Sequence, residues 1–307
     1  MQTQRDTPNS TLAGLSAEAQ GLAARLPGLQ IEASRIAQTV AFGVHGRRRA
    51  GPGDSFWQFR QYETSDTRNL IDWRRSANSN RLFVRQREWE AAHTVWLWVD
   101  LTASMAFRSH LAPVTKRDRA LVLAFAMAEL LVRGGERVGL FGVMPPAARR
   151  DTTQKMAEAL IVDANSGAPT AHRLAGATVA RQADCVLFGD FLDPIDTIAP
   201  ALRDLTGQGA RGHLVEVLDP AEETLAYAGR VQFHDPEGGG DWLAPRAERL
   251  AERYRGRLAE HRAALDQEIG KLNWTRLLHH TDRPAGEALL ALHARLSGAA
   301  ASYAAAR

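Results

Sequence analysis

Val-Trp-Leu-Trp-Val-Asp-Leu-Thr-Ala-Ser, residues 95–104, is the stretch of sequence that decides the fold. Its first five residues are all apolar, and because successive side chains of a β-strand point to opposite faces, both faces of this strand are apolar. Such a strand is typical of the interior of a parallel sheet that helices cover on both sides. The sequence therefore predicts a central strand of an α/β protein.

Three oxygen-bearing residues follow the end of that strand, namely Asp100, Thr102 and Ser104. In open parallel sheets, the loops at the carboxyl ends of the strands form the ligand crevice. Carboxylate and hydroxyl oxygens suit Mg²⁺ or Mn²⁺, and Mg²⁺ usually keeps open or water-filled positions. We therefore expect a metal site here, with a vacancy for a Glu or Asp of a partner protein.

A second carboxylate, Asp190, ends the apolar run at residues 186–189 in the same way. If the two strands are neighbours, Asp100 and Asp190 approach one crevice. Thr170, predicted to open a helix after Ser-Gly-Ala-Pro, is the best candidate for a further hydroxyl ligand. The alternative interpretation is that these residues cap helices or solvate loops, which is common at strand ends.

The remaining chain alternates between strand and helix patterns, which imply parallel pairing and right-handed crossovers. We predict a three-layer α/β/α Rossmannoid fold with a mostly parallel sheet. Further strands are predicted at 137–143, 185–189, 213–218 and 274–279, with a hairpin around 229–240. Helices are predicted at 115–132, 154–162, 170–182, 195–206, about 245–270 and 284–296.

The first part of the chain has a different character. Residues 12–41 predict two short helices broken at Pro27-Gly28, followed by a glycine- and arginine-rich connector and two strands at 56–60 and 81–87. We accordingly divide the chain into an N-terminal helical segment (1–45), a β-rich arginine/tryptophan segment (46–92), an α/β domain (93–298) and a tail (299–307).

Composition excludes several classes of protein. With 45% hydrophobic and 24% charged residues the chain is globular, and a net charge of +3 does not demand a nucleic-acid partner. Cys185 is the only cysteine, which rules out an internal disulfide, and we interpret it as a small buried hydrophobe. Without a secretory pattern or a long apolar run, we expect a cytoplasmic protein with no direct membrane span, whose membrane contacts are made through partners.

Two alternative functions fit the sequence, namely nucleic-acid binding through residues 46–90 and metal-dependent catalysis at the crevice of Asp100. Residues 46–90 carry ten arginines, six acidic residues and three tryptophans, a mixture that single-stranded nucleic acid could use, although internal pairing of the charges is favoured. The glycines of residues 46–53 are not followed by the Lys-Ser/Thr of a phosphate loop.

A metal-dependent hydrolase or phosphoryl-transfer enzyme could use the crevice of Asp100. Against this, Ser104 lacks the flanking glycines of a nucleophile elbow, and no general base is evident beside it. His279-His280-Thr281-Asp282 is interpreted as a capping or surface cluster rather than a metal site, because adjacent strand residues face opposite ways.

The motifs of the first half resemble those of the DUF58 family. They are Gly-Arg-Arg-Arg-Ala-Gly-Pro-Gly-Asp-Ser-Phe-Trp-Gln-Phe-Arg-Gln-Tyr (46–62), Ser65-Asp66-Thr67-Arg68, Ile71-Asp72-Trp73-Arg74, Phe83-Val84-Arg85 and Glu88-Trp89-Glu90. The resemblance runs from about residue 41 to 296. It implies a von Willebrand factor A-like fold, an association with MoxR-type AAA+ ATPases that act as chaperones on protein complexes, and no established catalytic activity.

The sequence Asp100-Leu-Thr-Ala-Ser-Met resembles the metal-ion-dependent adhesion site of von Willebrand factor A domains. Thr102 stands where that motif has its first serine, which keeps the hydroxyl. The resemblance implies metal ligation by Asp100, Thr102, Ser104 and Asp190, and it assigns Thr170 as the intermediate threonine.

Overall fold

The computed structural model describes residues 8–45, 56–63, 71–77, 81–87, 93–165, 174, 176–236 and 238–296. The chain divides into two compact units, one formed by Met1–Gly46 with Thr94–Arg307 and the other by Arg47–His93. Thr170 and residues 46–53 of the predicted connector lie outside the described residues.

The strands and helices are numbered in chain order. The strands are β1 (Phe56–Gln61), β2 (Phe83–Arg87), β3 (Thr94–Val99), β4 (Arg137–Leu140), β5 (Met144–Ala147), β6 (Asp184–Gly189), β7 (Arg211–Leu218), β8 (Val231–Asp235), β9 (Gly240–Ala244) and β10 (Thr275–His280). The helices are α1 (Pro8–His45), α2 (Trp73–Ser76), α3 (Lys116–Arg133), α4 (Thr152–Asn165), α5 (Ile195–Gly207), α6 (Pro220–Thr224), α7 (Ala251–Lys271) and α8 (Ala285–Leu296).

The main sheet has six strands in the order β10-β7-β6-β3-β4-β5. Every neighbouring pair is parallel except β4 and β5, which are antiparallel. The predicted strand at 137–143 is wrong in its second half, where the chain turns back to form β5. Pro145 and Pro146 in β5 argue against a strand when the sequence is considered alone. They are tolerated because β5 lies at the edge of the sheet, where a missing backbone N–H costs no hydrogen bond within the sheet.

Strand β3 is central, and its two faces contribute to two hydrophobic cores. Val95, Leu97 and Val99 pack in the core beneath α1, α3, α4 and α8. Trp98 packs in the second core, beneath α5 and α7. Helices therefore cover both sides of the mostly parallel sheet, and the predicted three-layer Rossmann-like architecture is confirmed.

One continuous helix, α1, replaces the two short helices predicted for the N-terminal segment. Proline lacks an N–H and normally breaks a helix, but at Pro27 the apolar residues continue at helical spacing on both sides. Leu26, Ala33 and Ala37 are buried in the core with α3, so tertiary packing offsets the lost hydrogen bond. Arg25 also binds the Asp118 carboxylate of α3, with a shortest N–O distance of 2.8 Å.

The helix predicted at 170–182 is wrong for the described residues 174 and 176–182, which form turns and irregular structure. Backbone groups of this segment that a helix would pair with each other bind the side chain of Gln208 instead. Its amide nitrogen donates to the Ala177 carbonyl (2.8 Å), and its oxygen accepts from the Val179 N–H (2.9 Å). The helix predicted from about residue 245 begins instead at Ala251, after the hairpin formed by β8 and β9.

In the unit Arg47–His93, the strands β1 and β2 pair antiparallel, which confirms the two strands predicted there. Asp72 caps the single turn α2 by accepting from the Arg75 N–H (3.0 Å). Ser76 then joins the turn to β2, because its hydroxyl donates to the Asp72 carbonyl (2.8 Å) and accepts from the Phe83 N–H (2.9 Å).

Candidate functional site

The carboxyl ends of the neighbouring strands β3 and β6 place Asp100 and Asp190 at the same edge of the sheet. The strands are parallel, and the Asp100 N–H continues their ladder by donating to the Phe188 carbonyl (2.8 Å). Gly189 permits this close approach, since a Cβ there would lie 3.2 Å from the Cβ of Asp100. The two carboxylates thus line one crevice, as predicted.

The hydroxyls of Thr102 and Ser104 join the two carboxylates. The Thr102 N–H donates to Asp100 Oδ1 (2.9 Å), and a short 3-10 helix, Ala103–Ala106, then turns the chain back towards β6. Thr102 Oγ1 lies 3.1 Å from Ser104 Oγ, and Ser104 Oγ donates to Asp190 Oδ2 (3.1 Å). Four of the five predicted ligand residues are therefore in one connected cluster, and the fifth, Thr170, lies outside the described residues.

Lys116, which sequence reasoning missed, lies in the same crevice. Its side chain is only 1% exposed, and its Nζ lies 2.8 Å from Asp190 Oδ2 and 2.6 Å from Glu222 Oε1. Burial alone would lower the pKa of Lys116, but the negative charges of Asp190 and Glu222 outweigh burial and raise this pKa. Lys116 is therefore a buried ammonium that compensates part of the negative charge of the crevice.

A signal for Lys116 does exist in the sequence. Lysine is rare in this arginine-rich chain, which has only three, and Lys116 is the first residue of a helix. A cation at a helix N-terminus opposes the helix dipole and needs compensation from elsewhere. That compensation comes from Glu222 of α6 and Asp190, which are far from Lys116 in sequence.

A second layer of hydrogen bonds holds α6 against the loop after β3. Asp219 is completely buried and accepts from both the N–H (2.8 Å) and the hydroxyl (2.5 Å) of Ser109. Asp219 also caps α6, and its own N–H donates to Glu222 Oε2 (2.9 Å). The Glu222 carboxylate is therefore fixed from both sides, which in turn fixes Lys116.

Asp100 differs from Asp190 in its charged surroundings, since Asp190 binds Lys116. In the described part of the chain, Asp100 forms no ion pair with a lysine, arginine or histidine. Burial raises the pKa of Asp100 to about 6, against the lowering effect of the hydrogen bonds from Thr102, and the negative charges of Asp190 and Asp193 raise it further. The crevice thus contains one buried carboxylate whose charge no described cationic residue compensates.

Residues 279–282 form the predicted capping or surface cluster only in part, since Asp282 is exposed and His280 is half-buried. His279 and Thr281 are buried, at 4% and 0% exposure, and they face the core side of β10 on which α3 and α8 pack. His280 points the other way, towards Glu223 (3.3 Å), so the two histidines face opposite ways as predicted. Cys185 is buried, as predicted, and burial raises the pKa of its thiol to about 12.

The described residues contain neither a carboxylate, histidine and cysteine cluster suited to a metal nor a membrane-spanning helix. Among the residues that the structure describes, no group of three or more His, Cys, Asp or Glu side chains is placed to hold a metal ion. Nor is any helix in the described ranges long and apolar enough to cross a membrane. Any metal at the crevice therefore depends on hydroxyl as well as carboxylate oxygens.

The fold and the crevice together define a Rossmann-like α/β protein with an oxygen-lined site at the carboxyl edge of its sheet. The chain belongs to the DUF58 family, described as "Protein of unknown function DUF58", which matches residues 58–264. Uncharacterized proteins of Mycobacterium bovis and Mycobacterium tuberculosis are 30% identical over 233 residues, covering 71% of this chain and 72% of each relative.

Two solved structures share a distant likeness. The conserved hypothetical protein BatB from Bacteroides thetaiotaomicron is 12% identical and covers 67% of this chain and 100% of its own, with a TM-score of 0.40. An aerotolerance-related membrane protein from Bacteroides fragilis, crystallised with multiple mutations to serines, is 16% identical and covers 66% and 97%, with a TM-score of 0.41. Both likenesses are too distant to carry a functional argument.

Proposed function

We propose that this protein is a non-catalytic protein-interaction module with a von Willebrand A-like domain. In this proposal the crevice of Asp100, Thr102, Ser104 and Asp190 holds Mg²⁺ or Mn²⁺, and a partner supplies a Glu or Asp to the cation. The observation that carries the proposal is the meeting of these four side chains at the ends of two neighbouring strands.

The chemistry of the donors fits a divalent cation. All four side chains offer oxygen, which is the ligand that Mg²⁺ and Mn²⁺ prefer. Asp100 is 6% exposed without a cationic partner in the described residues, and a buried carboxylate of this kind is costly unless a positive charge compensates it. A divalent cation beside Asp100 would remove that cost.

Lys116 has a positioning role in this proposal. Because its ammonium already binds Asp190 Oδ2 and Glu222, it holds the Asp190 carboxylate in a fixed orientation at the crevice. Ser104 donates to the same Asp190 oxygen, so the hydroxyl and the carboxylate move together. When bound, the cation supplies positive charge and an open coordination position for the carboxylate of the partner.

The rim of the crevice supports a protein partner. Phe107, Leu111 and Leu192 are 36%, 41% and 37% exposed. The Phe107 ring lies 6.0 Å from Lys116 Nζ. The backbone N–H of Leu111 donates to Ser109 Oγ (3.0 Å), and that of Leu192 donates to Asp190 Oδ1 (3.3 Å). Apolar side chains around a central polar group are typical of protein interfaces, where they exclude water from the central contact. We infer a partner that presents an acidic residue among apolar ones.

The resemblance to DUF58 proteins suggests the identity of the partner. We propose a MoxR-type AAA+ ATPase, a client protein presenting Glu or Asp, or both, in the maturation or remodelling of protein complexes. Thr170 is proposed as the fifth ligand of the cation. Binding through a cation should be selective, because the bound carboxylate is oriented as well as attracted.

Affinity purification from the cell of origin, with and without EDTA, tests the proposal. The partner ATPase or client should be recovered with Mg²⁺ and lost in excess EDTA. Asp100→Ala should lose the partner in both conditions, while the control Asp196→Ala, an exposed acidic residue in α5, should retain it. Equal recovery of the partner with EDTA would refute the role of the metal.

The two alternative functions make different predictions. An enzyme would hydrolyse generic phosphoesters in a way that Asp100→Ala abolishes, and such turnover would overturn the non-catalytic assignment. Nucleic-acid binding through residues 46–90 would give single-strand affinity with a steep salt dependence. We expect neither activity, even at low salt.

A further inference from the structure

We propose a second binding site, an oxyanion pocket centred on Arg119 between α1, α3 and α8. The cavity has a volume of about 440 Å³, and its lining includes Arg119, Arg35, Glu32 and residues 284–286. Its ligand is the oxyanion group, phosphate or carboxylate, of a small molecule. This site does not depend on the proposed function of the metal crevice.

Arg119 is a buried guanidinium that forms no ion pair with any residue the structure describes. Its exposure is 7%, and its Nε has no hydrogen-bond partner in the described structure. One of its terminal nitrogens, Nη2, donates to the Thr281 carbonyl (3.1 Å). The negative charges of Glu32 and Asp282 act on Arg119, but within the described ranges no carboxylate forms an ion pair with it.

The burial of Arg119 without a counter-charge among the described residues is unusual. Arginine is always charged in proteins and is almost never fully buried unless it is paired. A buried charge that lacks a partner destabilises the fold. An anion in the cavity that Arg119 lines would supply the missing counter-charge. Phosphate and carboxylate are the anions that a guanidinium group binds best.

The N-terminus of α8 faces the same cavity. Pro284, Ala285 and Gly286 line it, and α8 is a regular helix of 12 residues. The first backbone N–H groups of a helix have no partner within the helix, and the helix dipole favours an anion beside them. Pro284, immediately before α8, has no side-chain acceptor for those groups, and within the described residues its carbonyl accepts only from the Glu287 N–H (3.3 Å).

Near Arg119, two further buried polar atoms have no hydrogen-bond partner among the described residues. They are Nε2 of His279, whose pKa the charge of Arg119 helps to lower, and Oγ1 of Thr281, whose carbonyl Arg119 binds. Buried polar groups in folded proteins are nearly always hydrogen-bonded. Of these three residues only Arg119 lines the cavity, so a ligand there acts on Arg119 directly.

The charges on the cavity lining limit the ligand. Arg35 and Arg119 are positive and Glu32 is negative, so the lining favours an anion of low charge. The volume exceeds what a phosphate ion fills, so a phosphate or carboxylate group on a larger molecule also fits. The geometry does not favour polyanions such as nucleic acid, because Glu32 would repel an extended chain of phosphates.

Calorimetric titration with inorganic phosphate tests this site, with sodium acetate as a second probe and sodium chloride at matched ionic strength as the reference. The wild-type protein should bind phosphate or acetate saturably. Arg119→Met should lower the affinity by about tenfold or more, the loss expected for a charge-assisted hydrogen bond. Arg133→Met, on the same helix but outside the cavity, should leave the affinity unchanged.

Stability measurements distinguish a loss of oxyanion binding from a loss of folding. Without added oxyanion, Arg119→Met should be at least as stable as wild type, because it removes an unpaired buried charge. If that variant does not fold, Arg35→Gln, at an exposed position of α1, should still weaken binding severalfold. The proposal is wrong if neither probe binds wild type beyond the chloride reference, or if both variants retain full affinity.

Discussion

Lys116 is the single residue on which the organisation of the crevice most depends. It is buried between Asp190 and Glu222, and both carboxylates contact its ammonium directly. Removing one partner of a buried ion pair leaves uncompensated charge in a medium that solvates it poorly. The arrangement at the carboxyl edge of the sheet is therefore sensitive to this one side chain.

Lys116→Met should lower the free energy of unfolding by about 3–5 kcal/mol, the cost of breaking a buried ion pair. Lys155→Met is the matched control, because Lys155 forms an exposed i,i+4 pair with Asp151 and should contribute less than about 1 kcal/mol. Urea unfolding measures both variants. Equal stability of Lys116→Met and wild type would contradict the account of the crevice.

The buried His279 should make stability fall in mild acid. Burial, helped by the charges of Arg119 and His280, lowers its pKa from 6.5 to about 4, so the unfolded chain binds the proton more readily. Stability is then lost as the pH falls from about 6.5 to 4, by up to about 3 kcal/mol. His279→Leu should remove this loss in urea unfolding, and an unchanged pH dependence in that variant would count against the assignment.

Asp100 should act in the opposite direction without metal. Burial raises its pKa from 3.8 to about 6, so the folded state binds the proton more readily and stability rises as the pH falls from about 6 to 4. Asp100→Asn in EDTA should therefore expose the full loss caused by His279. If the stability of Asp100→Asn depends on pH in the same way as that of wild type, burial does not raise the pKa of Asp100.

The predicted part of the site follows from local sequence. Asp100, Thr102 and Ser104 lie on one turn after a recognisable strand, and Asp190 ends the neighbouring strand in the same pattern. Lys116 and Glu222 belong to the site only through contacts over 74 and 106 residues of sequence. Such contacts depend on strand order and helix placement, which local patterns do not specify.

At the scale of elements, the packing of β7 against β10 depends on one glycine. The indole of Trp274, immediately before β10, lies so close to Gly212 of β7 that an added Cβ would be 1.9 Å from it. The Trp274 Nε1 also donates to Thr206 at the end of α5 (2.9 Å), which fixes the ring. The fixed indole of Trp274 therefore leaves no space for a side chain at position 212.

Gly212→Ala should lower the free energy of unfolding by about 1–3 kcal/mol, because the ring and the strands must move apart. Gly256→Ala is the matched control, since Gly256 lies inside α7 with nothing within 4 Å of the added Cβ, and it should stabilise by about 0.5–1 kcal/mol. Thermal unfolding compares the two. A harmless Gly212→Ala would mean that the indole packs elsewhere.

The elements were predictable where local pattern and tertiary packing agree. The two-sided apolar run of β3 and the alternation of strands and helices were sufficient for the fold class. Pattern was misleading at Pro27, where packing of α1 overrides the proline, and at 177–179, where Gln208 supplies the hydrogen bonds. In each case a distant part of the chain decides the outcome.

At the scale of the whole α/β unit, the first turn of α3 lies between the crevice of Asp100 and the cavity of Arg119. Each of these two regions contains a buried charge that the described residues compensate incompletely. Lys116 points into the crevice of Asp100 and Asp190, and Arg119, three residues later, lies at the cavity beside α8. Asp100 lacks a cation and Arg119 lacks an anion within the described residues. Both features favour a molecule that is completed by ligands of opposite charge.

Direct measurement of Mn²⁺ binding by electron paramagnetic resonance tests the central claim, that the crevice of Asp100 and Asp190 holds a divalent cation. The wild-type protein should bind one Mn²⁺ that Mg²⁺ displaces, Asp100→Asn should lose it, and Asp196→Asn should retain it. No saturable binding by the wild type, or equal binding by Asp100→Asn, would contradict the account.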